Sequence, residues 1–555
     1  MVTLNSSLGK LITNHMRPDK PMPNPDAASS ESRSPNTLSF LLLLVASCAA
    51  FFLGKGPAKE FTDGNQPTTI PSESEPNVEG RELAKTLCAS CHLEPLPEVA
   101  TRDRWAFEIL PQAALHLGIE PFDPSQHPGG EEVVKADALT AKPAISQNDW
   151  RAVANHYLAT APDDHPYISG SDGALPKTTI FRPAPLNHPD STRMSTVRID
   201  PSAKVIYIGN ADTPSLEVVS PAGQVLAARK MPGPILSIGI QPNGLLITIG
   251  RPERNNDLSE GALMFLGKPG TSAPGEQVLI PGLVRPAHLQ LANLNTYSGS
   301  GFLIAEYGRY TGQLRWFAKT DSGVESHLLT DEPGINALAV SDLNGNGRSD
   351  VVAVQANGHQ KILAFQRTSN GFTHRTLLQH HPAWNYTDVT VIDMNGDGLP
   401  DLVTSNGDDE RLSAQDEPLV PFHGIRIQVA TADGTYRESY TYHLNRARRV
   451  AAGDFDADGD IDIVAIGYSS NHRNTARHGA VYLENQGNLT FKPQELPLSG
   501  DARWHDLDIG DLDQDGDLDI ALIAMHPGRR VPPALLAKWS ESPVTAVFLI
   551  NQTIP

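Results

Sequence analysis

The chain has 555 residues, with 45 Gly, 45 Pro, 6% aromatic and 39% apolar residues, a turn-rich, strand-leaning composition that excludes both a helical bundle and a largely disordered chain. Acidic residues outnumber basic ones, 64 against 44, for a net charge of −20, which excludes a nucleic-acid partner because phosphate binding needs a basic surface. The three cysteines, at 48, 88 and 91, are too few for a disulfide scaffold.

Residues 1–36 are polar and aperiodic and are expected to be a disordered leader. The segment 37–54 contains the uncharged run FLLLLVASCAAFFLG from Phe40 to Gly54, flanked by Arg33, Lys55 and Lys59. Its length falls between that of a signal-peptide core and that of a spanning helix. An uncleaved membrane anchor is the first reading, since the apolar run continues past the small-residue cleavage sites. A lipoprotein box at Val45-Ala46-Ser47-Cys48, with Cys48 lipidated, and simple cleavage stay open beside it. All three place the rest of the chain outside the cytoplasm, in the periplasm or at the cell surface. A Pro/Ser/Thr-rich linker covers 55–76.

The next segment, 77–165, opens with NVEGRELAKTLCASCHLEP, which holds Cys88, Cys91 and His92 in the order C-x-x-C-H. Two thiols one helical turn apart can each form a thioether to a haem vinyl group, and the adjacent His92 then falls beneath the ring as an axial iron ligand. Val78, Leu83 and Leu87 predict a short helix carrying this motif on its last turn. A zinc site would need two more ligands at matching spacing, and no cysteine follows Cys91. A thioredoxin-like dithiol would need a βαβ context that is missing.

These residues resemble a class I-like cytochrome c domain, with the stretch from Asn148 to Leu158 similar to the C-terminal helix of that family. The resemblance implies one covalent haem c and a downstream methionine as sixth ligand, yet no Met occurs between 93 and 160. In related haem-plus-repeat proteins that Met falls in a segment like Trp105 to Gly118, where this chain has Gln112, Ala113 and Ala114. His116 is the first candidate for the distal ligand and His127 the second; His156 reads as a surface residue of the terminal helix. An open or water-bound sixth position stays beside them.

From 175 to 555 the sequence becomes short β-branched and Leu-rich runs separated by Gly, Asn, Asp and Pro. One nine-residue loop recurs four times. Its oxygen-bearing positions are Asp342, Asn344, Asn346 and Asp350; Asp393, Asn395, Asp397 and Asp401; Asp454, Asp456, Asp458 and Asp462; and Asp511, Asp513, Asp515 and Asp519. Position six is always Gly, for a sharp turn, and position seven (Arg348, Leu399, Asp460, Asp517) can offer its backbone carbonyl. Hard oxygen donors at this spacing suit up to four structural Ca²⁺ ions, the first loop binding most weakly. An EF-hand is disfavoured, because its twelfth position should be Glu and is Ala353, Thr404, Ala465 or Leu522.

These loops resemble FG-GAP or VCBS repeats, known from β-propellers such as the integrin head. Three degenerate copies, at Thr196 to Gly209, Ile235 to Gly250 and from His288 onward, extend the array. The expected fold is therefore a small all-α cytochrome c-like domain followed by an all-β seven-bladed β-propeller. Blade-start residues His288, Asp388, Arg449, Trp504, His505 and Asp506 are expected near one mouth of the channel. There they either bind a small ligand or glycan or simply cap strand ends.

No hydrolase, kinase or dehydrogenase motif occurs. The first functional expectation is a membrane-tethered electron-transfer protein whose propeller docks a redox partner. Alternatives are a haem-linked oxidoreductase with substrate at the propeller mouth and a Ca²⁺-dependent adhesion or glycan-binding protein.

Overall fold

The computed structural model describes residues 78–89, 92–163, 174–188, 193–252, 256–268, 275–294, 301–320, 323–368, 371–407, 422–467, 479–525, 533–541 and 543–554. The leader, the segment 37–54 with Cys48, the linker and Cys91 lie outside them. Among the described residues no helix is long and apolar enough to cross a membrane.

A helical region precedes an all-β region, and the two pack as one compact unit. Helix α1 (Val78–Cys88) carries Glu79 in its first turn and Lys85 in its last, which suits the helix dipole. Helix α2 (Arg102–Arg104), capped by the Thr101 hydroxyl, runs through a π-helical turn at Trp105–Ile109 into α3 (Leu110–His116). Helix α4 (Gly130–Lys135) is short. Helix α5 (Gln147–Thr160) starts at Ser146, whose Oγ accepts from Asp149 N at 3.2 Å. Helices α1 and α5 cross at Gly80, where a Cβ would overlap the Ala152 carbonyl, so only glycine permits this approach. Around the crossing pack Ala84, Trp105, Leu110, Val153 and Tyr157, with the Trp105 and Tyr157 rings stacked at 3.9 Å.

The all-β region is seven four-stranded antiparallel sheets. Their first strands are β2 (Met194–Asp200), β6 (Ile235–Gln241), β10 (Pro286–Ala292), β14 (Ile335–Ser341), β18 (Tyr386–Ile392), β22 (Ala447–Gly453) and β26 (Trp504–Gly510). Six sheets use four consecutive strands. The seventh takes its outer strand from the beginning of the region: β1 (Phe181–Asn187) pairs antiparallel with β28 (Val544–Asn551). This closes the ring and covers an edge that would otherwise be open.

Burial falls from the second strand outward. The second strands of blades four to seven begin with the last Asp of an acidic loop and continue as runs such as DVVAVQ and DIALIA, buried at every position. They are sandwiched between neighbouring blades, which selects continuous β-branched sequence over alternation. The outermost strand of the first blade, VLAARK, is exposed throughout. The hydrophobic cores lie between blades: Phe455, Val464 and Tyr482 of the sixth pack with Phe181, Trp504, Leu522 and Val547 of the seventh. Each first strand also has a bulge at its second residue, so that the third resumes the pairing. Helix α6 (Pro533–Glu541), inserted before β28, was not signalled by the repeat pattern.

Candidate functional site

In up-and-down blades, the start of the first strand and the turn between the second and third lie at one end, and the turn between the first and second at the other. The four acidic loops are turns of the latter kind. The helical region instead rests on second-to-third turns. His127 Nε2 lies 2.6 Å from Asp257 Oδ2 in the second blade, and Asp257 Oδ1 accepts from Tyr310 N, Thr311 N and Thr311 Oγ1 of the third at 2.9, 2.7 and 2.8 Å. Gln112 Oε1 accepts from Arg309 Nη2 at 2.9 Å and from the Tyr310 hydroxyl at 3.3 Å, and Arg309 in turn bonds Asn357 of the fourth blade. The helical region and the acidic loops therefore occupy opposite faces of the propeller.

His127 is thus a strut between the two regions, which corrects its place as second choice for a distal ligand. His156 is also reassigned: it is buried, 5% exposed, against Gly80 and beside the Tyr157 ring, where the helix crossing needs a packed residue. Neither role has a local sequence signal, because each is set by a partner far away in the chain.

His92 follows the last turn of α1, its backbone N–H donating to Cys88 O at 3.4 Å. Its Nδ1 is 2.8 Å from Leu93 O. A carbonyl only accepts, so Nδ1 carries the proton and Nε2 keeps its lone pair. Cys88 Sγ lies 3.9 Å from the Tyr157 hydroxyl, which donates to Pro95 O at 3.0 Å and so holds the chain around the motif. Leu93 and Leu96 are 48% and 53% exposed, an apolar lining beside His92.

His116, at the end of α3, meets the propeller through its ring, tilted against Tyr310 of the third blade at 5.5 Å. The His116 ring surface is open, yet the protein around it pushes its pKa down to about 4, burial leading and Arg309, His359 and His92 adding to it. From the propeller side, His381 is likewise lowered to about 4 by burial, with His380 and His92 contributing, and His359 is lowered by burial with Lys361 and His92 contributing. The His381 ring stands edge-on to Trp384 and Phe422, at 5.8 and 4.9 Å, while His380 lies flat on Trp384 at 3.7 Å. The three propeller histidines have no motif spacing, and sequence reading passed over them.

On the opposite face, the position-six glycines of the four loops have φ between +77° and +103°. Position four is left-handed as well, including Ala457 and Gln514, which have no glycine to ease it. The last Asp of each loop accepts from the backbone N–H of position two: Asp350 from Leu343, Asp401 from Met394, Asp462 from Phe455 and Asp519 from Leu512, at 2.7 to 3.3 Å. The loops then divide into two kinds. In the first two, both oxygens of Asp342 and Asp393 accept backbone N–H groups. In the last two, Asp454 Oδ1, Asp513 Oδ1 and Asp517 Oδ1 are buried without a partner. There Asp454, Asp456 and Asp462, and Asp511, Asp513 and Asp519, each bring oxygens within 4.8 Å of one another. Burial raises Asp462 to about 7 and Asp519 to about 6. Crowded, partly orphaned carboxylates of this kind fit a Ca²⁺ ion.

The blade-start residues are occupied with holding blades together. Third-position side chains accept from the fourth-position N–H of the next blade: Ser237 from Leu289 at 3.1 Å, His288 Nδ1 from Leu338 at 3.3 Å, Asp388 from Val450 at 3.2 Å and Asp506 from Val197 at 3.3 Å. Arg449 bonds Asp506 at 2.8 Å and reaches Asp388 at 3.7 Å. Burial raises the pKa of Asp388 against the pull of Arg449; at Asp506, burial is outweighed by the closer Arg449 and by Arg198, and the pKa is lowered. Trp504 is wholly buried, its Nε1 donating to Ser499 O at 2.9 Å, and His505 contacts Arg448. This ring caps strands; it is not a set of free ligand-binding groups.

Fold and loops together define a seven-bladed β-propeller with acidic loops on one face. Its repeats are FG-GAP-like: the profile of that repeat matches residues 342–404 and 454–522. No curated protein matches the sequence. Solved structures similar to it include the β-propeller domain of Cps50 (Swd1) from Myceliophteria thermophila, at 13% identity over 65% of this chain and 99% of that one, TM-score 0.38. Others are a luciferin-regenerating enzyme (12%, 56% and 97%, TM-score 0.35) and the calcium-binding protein regucalcin from Agrobacterium tumefaciens (11%, 58% and 99%, TM-score 0.35). At these scores none of the three bears on blade count, ligand or activity.

Proposed function

We propose that this chain is an exported, membrane-tethered c-type haem protein that transfers electrons, with a calcium-stabilised propeller as the docking module for a redox partner. The observation that carries the reading is the C-x-x-C-H motif at the end of α1, with His92 Nδ1 committed to Leu93 O and Nε2 available beside an apolar lining. Cys88 and Cys91 would hold haem c by thioethers and His92 would be the axial ligand. The group would supply a reversible one-electron couple. The chain's own part is to fix the His92 tautomer through Leu93 O and to hold the backbone around the motif through Tyr157 and Pro95. The crossing of α1 and α5 at Gly80, with Tyr157 tied to Pro95, supports the reading by holding the segment around Cys88 and His92.

Ca²⁺ in the last two acidic loops, and more weakly in the first two, would tie the turns far from the haem and take no part in redox chemistry. The apolar segment 37–54 supports export and tethering, by an anchor or through Cys48. The reading of an oxidoreductase with substrate at the propeller mouth is weakened, because the polar ring there is engaged between blades.

The test is expression in a host competent in cytochrome c maturation. A protein carrying one covalent haem by mass and by haemochrome spectrum, lost on Cys88→Ser, with a reversible one-electron wave, is the expected result. An intact chain with no haem attached would refute it.

A further inference from the structure

The end of β28 touches both of the acidic loops that hold orphaned carboxylates. Resting on the calcium reading above, we propose that Asn551 couples the cation sites of the sixth and seventh blades, so that two Ca²⁺ ions bind there cooperatively.

Three hydrogen bonds run from one carboxylate cluster to the other. Asp519, the last residue of the seventh loop, accepts from the Asn551 backbone N–H at 2.7 Å. Asn551 Nδ2 crosses to the sixth blade and donates to Phe455 O at 2.7 Å. Phe455 is position two of the sixth loop, and its N–H donates to Asp462, the last residue of that loop, at 3.1 Å. Asp462 and Asp519 each belong to one of the two clusters of close carboxylates. All four residues are buried, so these bonds act in a low-dielectric interior.

The residues after Asn551 strengthen the connection. Thr553 Oγ1 also donates to Phe455 O, at 3.2 Å, and Ile554 N donates to Asp517 Oδ2 at 2.9 Å, on a carboxylate whose other oxygen is buried without a partner. Gln552 N donates to Ile180 O at 2.9 Å, just ahead of β1, which fastens the segment to the strand pair that closes the ring. Asn485 is the counterpart of Asn551 in the sixth blade. It ends the third strand there and bonds within its own blade, to Asp462 Oδ1 at 2.7 Å and Ile461 O at 3.0 Å. Asn551 makes the matching bonds to Asp519 and Leu518 O and adds the one to the preceding blade.

Ordering of this shared segment is the source of the coupling. An ion in either loop holds its last Asp in place, and through it Asn551 and the Phe455 peptide. The first ion meets the entropic cost of fixing them, and the second finds its loop already ordered. Coupling of this kind raises affinity about tenfold.

The test is a calorimetric calcium titration of the full chain at fixed ionic strength, on wild type, Asp454→Ala to disable the sixth loop, Asn551→Ala, and the double variant. Wild type is expected to show two tight sites, and Asp454→Ala to leave one that binds about tenfold more weakly. In the Asn551→Ala background the same loss should leave the remaining affinity unchanged. Hydrogen exchange at 551–554 should slow on calcium binding in wild type, and slow less in Asp454→Ala. Should Asn551→Ala fail to fold, Thr553→Val, which removes the second donor to Phe455 O, is expected to reduce the coupling. A remaining site of unchanged affinity in Asp454→Ala alone would overturn the coupling and leave the calcium reading intact. Coupling that persists in Asn551→Ala would overturn the role of Asn551, and a chain that binds no calcium would overturn both readings.

Discussion

Calcium removal should destabilise the propeller in a pH-dependent way, and the carboxylates of the last two loops set the size of the effect. Asp462 and Asp519 are wholly buried, and in the ion-free fold burial raises them from 3.8 to about 7 and about 6. A folded-state pKa above the unfolded value means that the ion-free protein is most stable below 3.8 and loses stability as pH rises through 6 and 7. At pH 8 both groups are charged, costing about 4 and about 3 kcal/mol relative to the unfolded chain. Bound Ca²⁺ neutralises them and removes that cost. For a cooperative unit of this size the unfolding entropy is about 0.8 kcal/mol/K, so about 7 kcal/mol corresponds to about 9 °C. The assay is thermal unfolding with Ca²⁺ or EGTA at pH 5 and pH 8, comparing the calcium increment at each pH so that groups outside the loops cancel. The two groups already cost about 1.6 kcal/mol each at pH 5, so the increment should grow from pH 5 to pH 8 by about 4 kcal/mol, or about 5 °C. Asp456→Asn separates the terms: the ionised form of Asp456 is disfavoured by burial and then by Asp458, so neutralising it should stabilise the protein slightly in EGTA and shrink the calcium increment. An increment that is zero, or flat with pH, would refute the reasoning.

Three further outcomes are expected. Gly80→Ala, which places a Cβ against the Ala152 carbonyl, should force α1 and α5 apart at a cost of about 2 to 3 kcal/mol. Hydrogen exchange in both helices should rise while the calcium-dependent melt stays unchanged. Asp257→Ala removes the acceptor for His127, two backbone N–H groups and a hydroxyl, at about 3 kcal/mol or more. It should loosen the helical region from the propeller, seen as an increased radius of gyration in solution scattering. Arg449→Met leaves Asp506 and Asp388 without their cation and should lower propeller stability by about 3 to 5 kcal/mol, measured by denaturant unfolding.

The blade count was readable because repetition is a local property. Each second strand is buried on both faces and must be continuously apolar, and each acidic turn needs Asp, Asn and Gly at fixed offsets, so the strand pattern recurs every 41 to 61 residues, from one first strand to the next, even where carboxylates are lost. Closure of the ring by Phe181–Asn187 was not readable, since that strand finds its partner about 360 residues away and nothing in FRPAPLN encodes the distance. Helix α6 and the π-helical turn at Trp105 are local departures from the repeat and the helical period, and no pattern announced them.

Chemistry divides the same way. The C-x-x-C-H motif and the carboxylate turns are patterns of neighbours in sequence, so Cys88, Cys91, His92 and the aspartates stand out as candidates from the chain alone. The difference between loops with satisfied and orphaned carboxylates required the backbone N–H positions. The roles of His127, His156, Arg449 and Asp506 depend on atoms brought in from other blades or helices. The sequence by itself determined a propeller with acidic repeats behind a C-x-x-C-H segment. Only the tertiary structure decided that the helices dock on the face opposite the acidic loops, and that three propeller histidines lie on that face. Packing between distant elements sets those contacts, and a one-dimensional pattern carries no record of them.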